Sequence, residues 1–208
     1  MNIVIGEKGI VNQRNFIRNY FEDGDKVLSM DDDISYLGKK VGNKIEKVIN
    51  LKLIIQKAFE LCERNKTKLF GVSAVNNAFY MSDDISTSLK FIIGAFYGFI
   101  NERDDYWKID SDFLEVKEDY EITLKAYKKF GKVIRLNQYT PITKYYKEKG
   151  GLFDSRSPET SEKAAAYLLN KYPEFVKIKG LGSNGHMEIS LSEIGRAHVW
   201  TPVTFRNL

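Results

Sequence analysis

Leu51, Ile54, Ile55, Ala58, Phe59 and Cys62 recur at helical spacing and predict an amphipathic helix that ends near Asn65. Two more helices follow from the same pattern. Glu118 to Lys129 is closed by Gly131 just beyond its end, and Ser157-Pro158-Glu159 opens a helix running to about Lys171, where Pro173 stops it. An earlier helix spans Ile10 to Phe21, with Phe16, Ile17, Tyr20 and Phe21 on its apolar side and Arg14 and Arg18 one turn apart on another. Strands are predicted at Asn2 to Ile5, Lys26 to Met30, Leu69 to Val75, Leu89 to Ile100 and Val133 to Leu136. Val176 to Ile178 and Glu188 to Leu191 read as a terminal hairpin around Ser183-Asn184-Gly185.

The opening therefore reads strand, helix, strand, which implies a parallel crossover. The fold class expected is α/β, a Rossmann-like, mostly parallel sheet flanked by helices, with the hairpin at the carboxyl end. Residues 35 to 50 read as a polar, Lys- and Gly-containing connection. Gly71, Ser73, Ala74, Gly94, Ala95 and Gly98 sit inside the apolar runs. Such small residues either let a ligand approach the backbone or relieve twist.

Composition narrows the class. With 208 residues, 43% of them hydrophobic and 13% aromatic, the chain suffices for one well-buried core. The balance of 32 basic against 28 acidic residues is too mild to announce nucleic-acid binding by itself. A single Cys62 excludes an intrachain disulfide and fits a reducing compartment. Met1 to Ile5 is too short an apolar run for a leader, and Phe91 to Ile100 too short to span a bilayer, so a cytoplasmic location without membrane is expected.

Residues 194 to 208 break the style of the chain. Ile194-Gly195-Arg196-Ala197-His198-Val199-Trp200-Thr201-Pro202-Val203-Thr204 has no amphipathic period and no acid, and reads as an in-frame translation of a sequencing adapter. The domain is accordingly taken as residues 1 to 193, which carry 30 basic and 28 acidic residues.

The candidate chemistry starts at Asp31-Asp32-Asp33, three carboxylates crowded at the tip of the Lys26 to Met30 strand. Their repulsion is relieved most simply by a divalent cation. Few protein oxygens and no calcium-loop spacing suit Mg²⁺ or Mn²⁺ shared with substrate phosphates; the alternative is a solvated turn. Arg14, near a helix start, reads as a phosphate contact, a partner for Asp31 or a plain surface arginine. Glu118 and Asp119 form an acidic helix start that meets the dipole favourably. The run Lys144-Tyr145-Tyr146-Lys147 with Lys149 offers stacking and charge to DNA, or is a half-buried strand with snorkelling lysines.

These residues carry a resemblance. Gly9 to Ile17 with Arg14-Asn15, then Val27 to Asp33, then Glu118-Asp119-Tyr120-Glu121, resemble the Arg-Asn, Asp-x-Asp and Glu-Asp series of GT-A fold glycosyltransferases. Gly150-Gly151-Leu152, Arg156 and the Lys171-Tyr172-Pro173 after the next helix resemble, more narrowly, the phage and viral TET-associated glycosyltransferases. The resemblance implies a metal-dependent, inverting transfer of a sugar from a nucleotide-sugar donor to a hydroxyl, in the narrower group that of hydroxymethylated pyrimidine in DNA. It implies Asp119, with Glu118 beside it, at the catalytic-base position. It further implies Arg14, Asn15, Asp31, Asp32, Gly150, Gly151 and Arg156 on the donor, and Asp31, Asp33 and His186 on a Mn²⁺ or Mg²⁺ ion. Against the family pattern the chain lacks a first strand and helix, so an amino-terminal truncation is expected. The alternatives are a catalytically silent binding module and a nucleotidyltransferase; the latter needs a second metal-binding carboxylate on an adjacent strand.

Overall fold

A computed structural model of the chain describes residues 3–110, 112–143, 157–183 and 185–193. The elements in order are α1 (Ile10–Tyr20), β1 (Lys26–Met30), β2 (Ile34–Val41), β3 (Lys44–Lys47), α2 (Leu51–Asn65), β4 (Leu69–Val72), β5 (Ile85–Ser86), β6 (Phe96–Ile100), α3 (Glu118–Phe130), β7 (Ile134–Leu136), β8 (Tyr139–Thr143), α4 (Pro158–Lys171), β9 (Val176–Leu181) and β10 (Met187–Leu191). The protein is mixed α/β. A five-stranded sheet in the order β1-β6-β4-β7-β5 is accompanied by a three-stranded sheet β3-β2-β8 and the β9-β10 hairpin.

The expectation of a mostly parallel sheet is corrected. Among the described residues only β4 and β7 pair in parallel, and every other strand pair is antiparallel. The predicted crossover fails because β1 pairs with β6, Lys26 opposite Ile100 and Met30 opposite Phe96. Residues 3 to 5 form no strand, and Ile3 and Ile5 are almost fully exposed. An extended apolar tetrapeptide becomes a strand only where a sheet edge receives it.

Alternating side chains along the strands feed two cores on opposite faces of the five-stranded sheet. Leu69, Tyr97, Phe99, Val27 and Val133 join one cluster with Leu124, Ala126, Ala164 and Leu168 of α3 and α4. Phe70, Val72, Phe96, Ile134 and Leu136 join the other with Ala58, Phe59 and Cys62 of α2. Cys62 is a packing residue: burial pushes its thiol up to about 12, far from reactivity at neutral pH.

Two of the strand glycines serve this packing and receive no ligand. A Cβ on Gly98 would lie 2.2 Å from the Phe70 ring, its cross-strand partner, and one on Gly71 would lie 2.3 Å from Ile92. Both positions are covered by neighbouring side chains.

The segment read as a polar connection is a hairpin, β2 and β3, turning at Gly42 with φ of 58° and extended by β8. Only Leu37 and Gly38 of β2 are buried, so lysines at the solvated positions hide its alternation. α1 departs from its expected facing, because its buried residues are Val11, Arg14 and Arg18, while Tyr20 is half exposed. The Arg18 guanidinium stacks 4.2 Å from the Phe99 ring centroid and 4.5 Å from that of Trp107, and burial pulls it down to about 10. No helix among the described residues is long and apolar enough to cross a membrane.

Candidate active site

A cavity of about 500 Å³ opens where the amino ends of α1 and α3 meet the tip of β1. Arg14, Asp31, Gly94, Glu118, Asp119 and His186 line it, with Phe91, Lys117 and Tyr120 on its wall. Five of the residues singled out from sequence therefore converge from four separated stretches of chain.

Arg14 reaches inward from the first turns of α1. Its Nη1 donates to Ser29 Oγ, its Nη2 donates to the Gly94 carbonyl at 2.9 Å, and the same nitrogen stands 3.5 Å from Asp31 Oδ1. Burial works against the charge, yet the Tyr97 phenol and the carboxylates of Glu118, Asp31 and Asp119 leave its pKa above the ordinary arginine value. With only 7% of its surface exposed and both terminal nitrogens engaged, Arg14 is a hub that ties α1, β1 and the 91–95 segment together. Of its sequence readings, the geometry excludes a surface arginine and pairs Arg14 with Asp31.

Asp31 continues the β1 ladder by donating its N–H to Ala95 O at 3.0 Å, and its side chain is half exposed to the cavity. Burial raises its pKa, Arg14 opposes the rise, and the nearby Asp33 and Asp32 add to it. Those two neighbours sit in an exposed turn and do not line the cavity. The acidic triplet is thus one cavity carboxylate and two solvated ones.

α3 is preceded by Lys117, whose φ of 67° is in the left-handed region, and the first two helical residues enter the cavity. Asp119 Oδ2 accepts the Gly94 N–H at 3.0 Å, and Oδ1 accepts the Tyr120 N–H at 3.0 Å. Thr123 adds a second hook: Oγ1 accepts the Ile92 N–H at 3.2 Å and donates to Asp119 O at 2.8 Å. Phe91 stacks on Tyr120 with centroids 4.1 Å apart. These bonds explain why residues 91 to 95, expected as part of a long strand, leave the sheet and follow the helix instead.

Burial, then the adjacent Asp119 charge, pushes the Glu118 carboxyl up to about 7. Burial also raises Asp119, against the pull of its two backbone amides. A buried acid, a partly buried one beside it and a buried arginine around a cavity form an arrangement suited to moving a proton near neutrality.

No family model matches the sequence, and no curated protein or solved structure matches it either. The site is therefore read from its own geometry.

Asn15 is not brought to this cavity. Its amide donates to Ile109 O and accepts the Ile109 N–H, both at 2.9 Å, a closed pair that anchors α1 to the loop before α3. Gly150, Gly151, Arg156 and the Lys144 to Lys149 run lie outside the described residues. No cluster of three or more His, Cys, Asp or Glu side chains suited to a metal gathers among the described residues. Of the expected metal set, Asp31 and His186 share the cavity and Asp33 does not. The residue that sequence reasoning did not separate from its neighbours is Gly94. A Cβ there would lie 3.2 Å from Asp119 Cβ and 3.3 Å from Glu118 Oε1. In the run Phe91-Ile92-Ile93-Gly94-Ala95-Phe96-Tyr97-Gly98 nothing local distinguishes the cavity glycine from the packing one.

Proposed function

We propose that this protein is a metal-dependent, inverting glycosyltransferase that moves a sugar from a nucleotide-sugar donor to a hydroxyl acceptor. The observation that carries the reading is that Asp31, at the end of β1, and the Glu118-Asp119 pair, at the start of α3, line one cavity. Separate carboxylates for the leaving diphosphate and for the incoming hydroxyl are what such a transfer requires.

The donor set in the cavity suits a hard cation that takes one or two protein ligands, Asp31 and His186, and completes its shell with ligand oxygens and water. Bound there, Mn²⁺ or Mg²⁺ would act as a Lewis acid on the departing diphosphate. The protein's own residues do the rest. Arg14 stands beside Asp31 and keeps positive charge in a site that accumulates negative charge as the diphosphate leaves. The α3 acids take the proton released when the acceptor hydroxyl attacks the anomeric carbon from the face opposite the leaving group. The GT-A assignment, and hydroxymethylated pyrimidine in DNA as the acceptor, rest on the sequence resemblance.

Isothermal titration of the whole chain with UDP-, GDP- and CDP-sugars, with and without Mn²⁺, tests the proposal. Metal-dependent binding of one donor is expected, with loss in Asp31→Ala and retention in Asp33→Ala. Binding that is indifferent to Mn²⁺ and to Asp31, or no binding to any sugar nucleotide, overturns it.

A further inference from the structure

The two acids at the start of α3 are adjacent in sequence but differently employed. Asp119 has one backbone amide on each oxygen, from Gly94 and from Tyr120. Its carbonyl and Thr123 secure the same segment through Ile92. A proton arriving on this carboxylate weakens one of those bonds, that from Gly94 or that from Tyr120, whose N–H also reaches Lys117 O at 3.1 Å. Amide donors also favour the charged form, which makes a carboxylate a weaker base.

Glu118 is held by none of these bonds. Among the described residues no amide of another residue donates to its carboxylate, and one oxygen lies 3.3 Å from the point where a side chain on residue 94 would begin. Residue 94 has no side chain. The gap between Glu118 Oε1 and Asp119, whose Oδ2 lies 3.4 Å from the same point, is therefore kept open by glycine, and it borders the cavity.

We infer that Glu118 is the residue that accepts the acceptor's proton, and that Asp119 is a positioning residue that clamps the Gly94 segment so that the gap stays open. This assignment rests on the transferase reading above. In the step, the acceptor O–H bond breaks and its proton passes to Glu118. The freed oxygen pair forms the bond to the anomeric carbon, and the bond from that carbon to the diphosphate breaks with its electrons leaving on the diphosphate. Facing Glu118 are Asp119 from its own helix, Arg14 from α1 and Asp31 from the end of β1, with Lys117, Glu115 and His186 on the same cavity wall. Burial already places the Glu118 carboxyl near neutrality, where a base is half ready.

Two measurements on the full chain test the division. The first is the pH dependence of donor consumption, with water as the probe acceptor and whichever sugar nucleotide binds, in the wild type, Glu118→Gln, Glu118→Asp and Asp119→Asn. Glu118→Gln should lose the limb that rises toward neutral pH and fall by about 10²–10⁴-fold, with partial recovery in Glu118→Asp. Asp119→Asn should keep that limb with a raised KM. The reverse pattern overturns the inference.

The second measurement needs no turnover: NMR of the side-chain carboxyl carbons and hydrogen exchange of the Gly94 amide. A Glu118 carbon that titrates near neutrality, and a Gly94 amide that loses protection in Asp119→Asn but not in Glu118→Gln, support the assignment. An Asp119 carbon that titrates there, or a Gly94 amide unchanged by Asp119→Asn, overturns it. If no donor is consumed, the transferase reading fails, and the second measurement still decides how the pair is divided.

Discussion

Glu118→Gln should stabilise this protein at alkaline pH and leave it unchanged in acid. The side chain is 9% exposed, and its carboxyl sits at about 7 instead of the ordinary 4.5. The folded state thus holds this proton more tightly than the unfolded chain. Between about pH 4.5 and 7 the native state carries the extra proton, so stability falls as pH rises through that window and the full cost is present above it. At 1.36 kcal/mol per pKa unit, the shift corresponds to an upper value of about 3 kcal/mol, with the repulsion from Asp119 already inside that figure. Glutamine keeps the shape and carries no charge. Urea unfolding from pH 4 to 8.5 should show the two proteins together at the acid end and the variant ahead by about 2–3 kcal/mol at the alkaline end. A gap that does not change with pH, or a less stable variant at pH 8, would refute the reasoning.

Arg14→Ala should lower stability by about 3–5 kcal/mol, read as a shift in urea midpoint, because it leaves Ser29, the Gly94 carbonyl and Asp31 without their shared partner. Asn15→Ala should cost about 1–3 kcal/mol by thermal melting while donor affinity by calorimetry stays constant, since both of its bonds go to Ile109. Gly94→Ala should fold, because its backbone is not left-handed, and should depress donor consumption by crowding both acids. β1 is the edge of the five-stranded sheet among the described residues, and Met30 on it is about half exposed. Sedimentation velocity across a concentration series should therefore show self-association that Met30→Lys reduces.

What was legible from the residues follows from how local each signal is. α2 was readable to near its last residue, because its apolar spacing lies within the segment itself. α4 carries Ser157 as a cap in reciprocal bonds with Thr160, and α3 ends on Gly131 with φ of 68°, so both ends could be placed. The partner of β1 is β6, some seventy residues away, and nothing near Lys26 to Met30 specifies it. The parallel crossover inferred from order alone was therefore wrong. α1 misled for a different reason: guanidinium groups stacked on Tyr97, Phe99 and Trp107 count as core, whereas a polarity scale counts them as surface. The roles of Glu118, Asp119 and His186 came from the family resemblance, whereas residue type by itself singled out the triplet that holds Asp31. It could not tell Asp31 from its two solvated neighbours, or a cavity glycine from a packing one.

Arg14 leans chiefly on Ser29 and Gly94, and only distantly, at 3.5 Å, on Asp31. Under the proposed metal reading, Asp31 would turn to an arriving cation while the guanidinium keeps its footing. Loading the cavity then calls for no rearrangement of α1. The empty and filled forms of this protein should share one backbone, and occupancy should register in the charge states of the acids around Asp31.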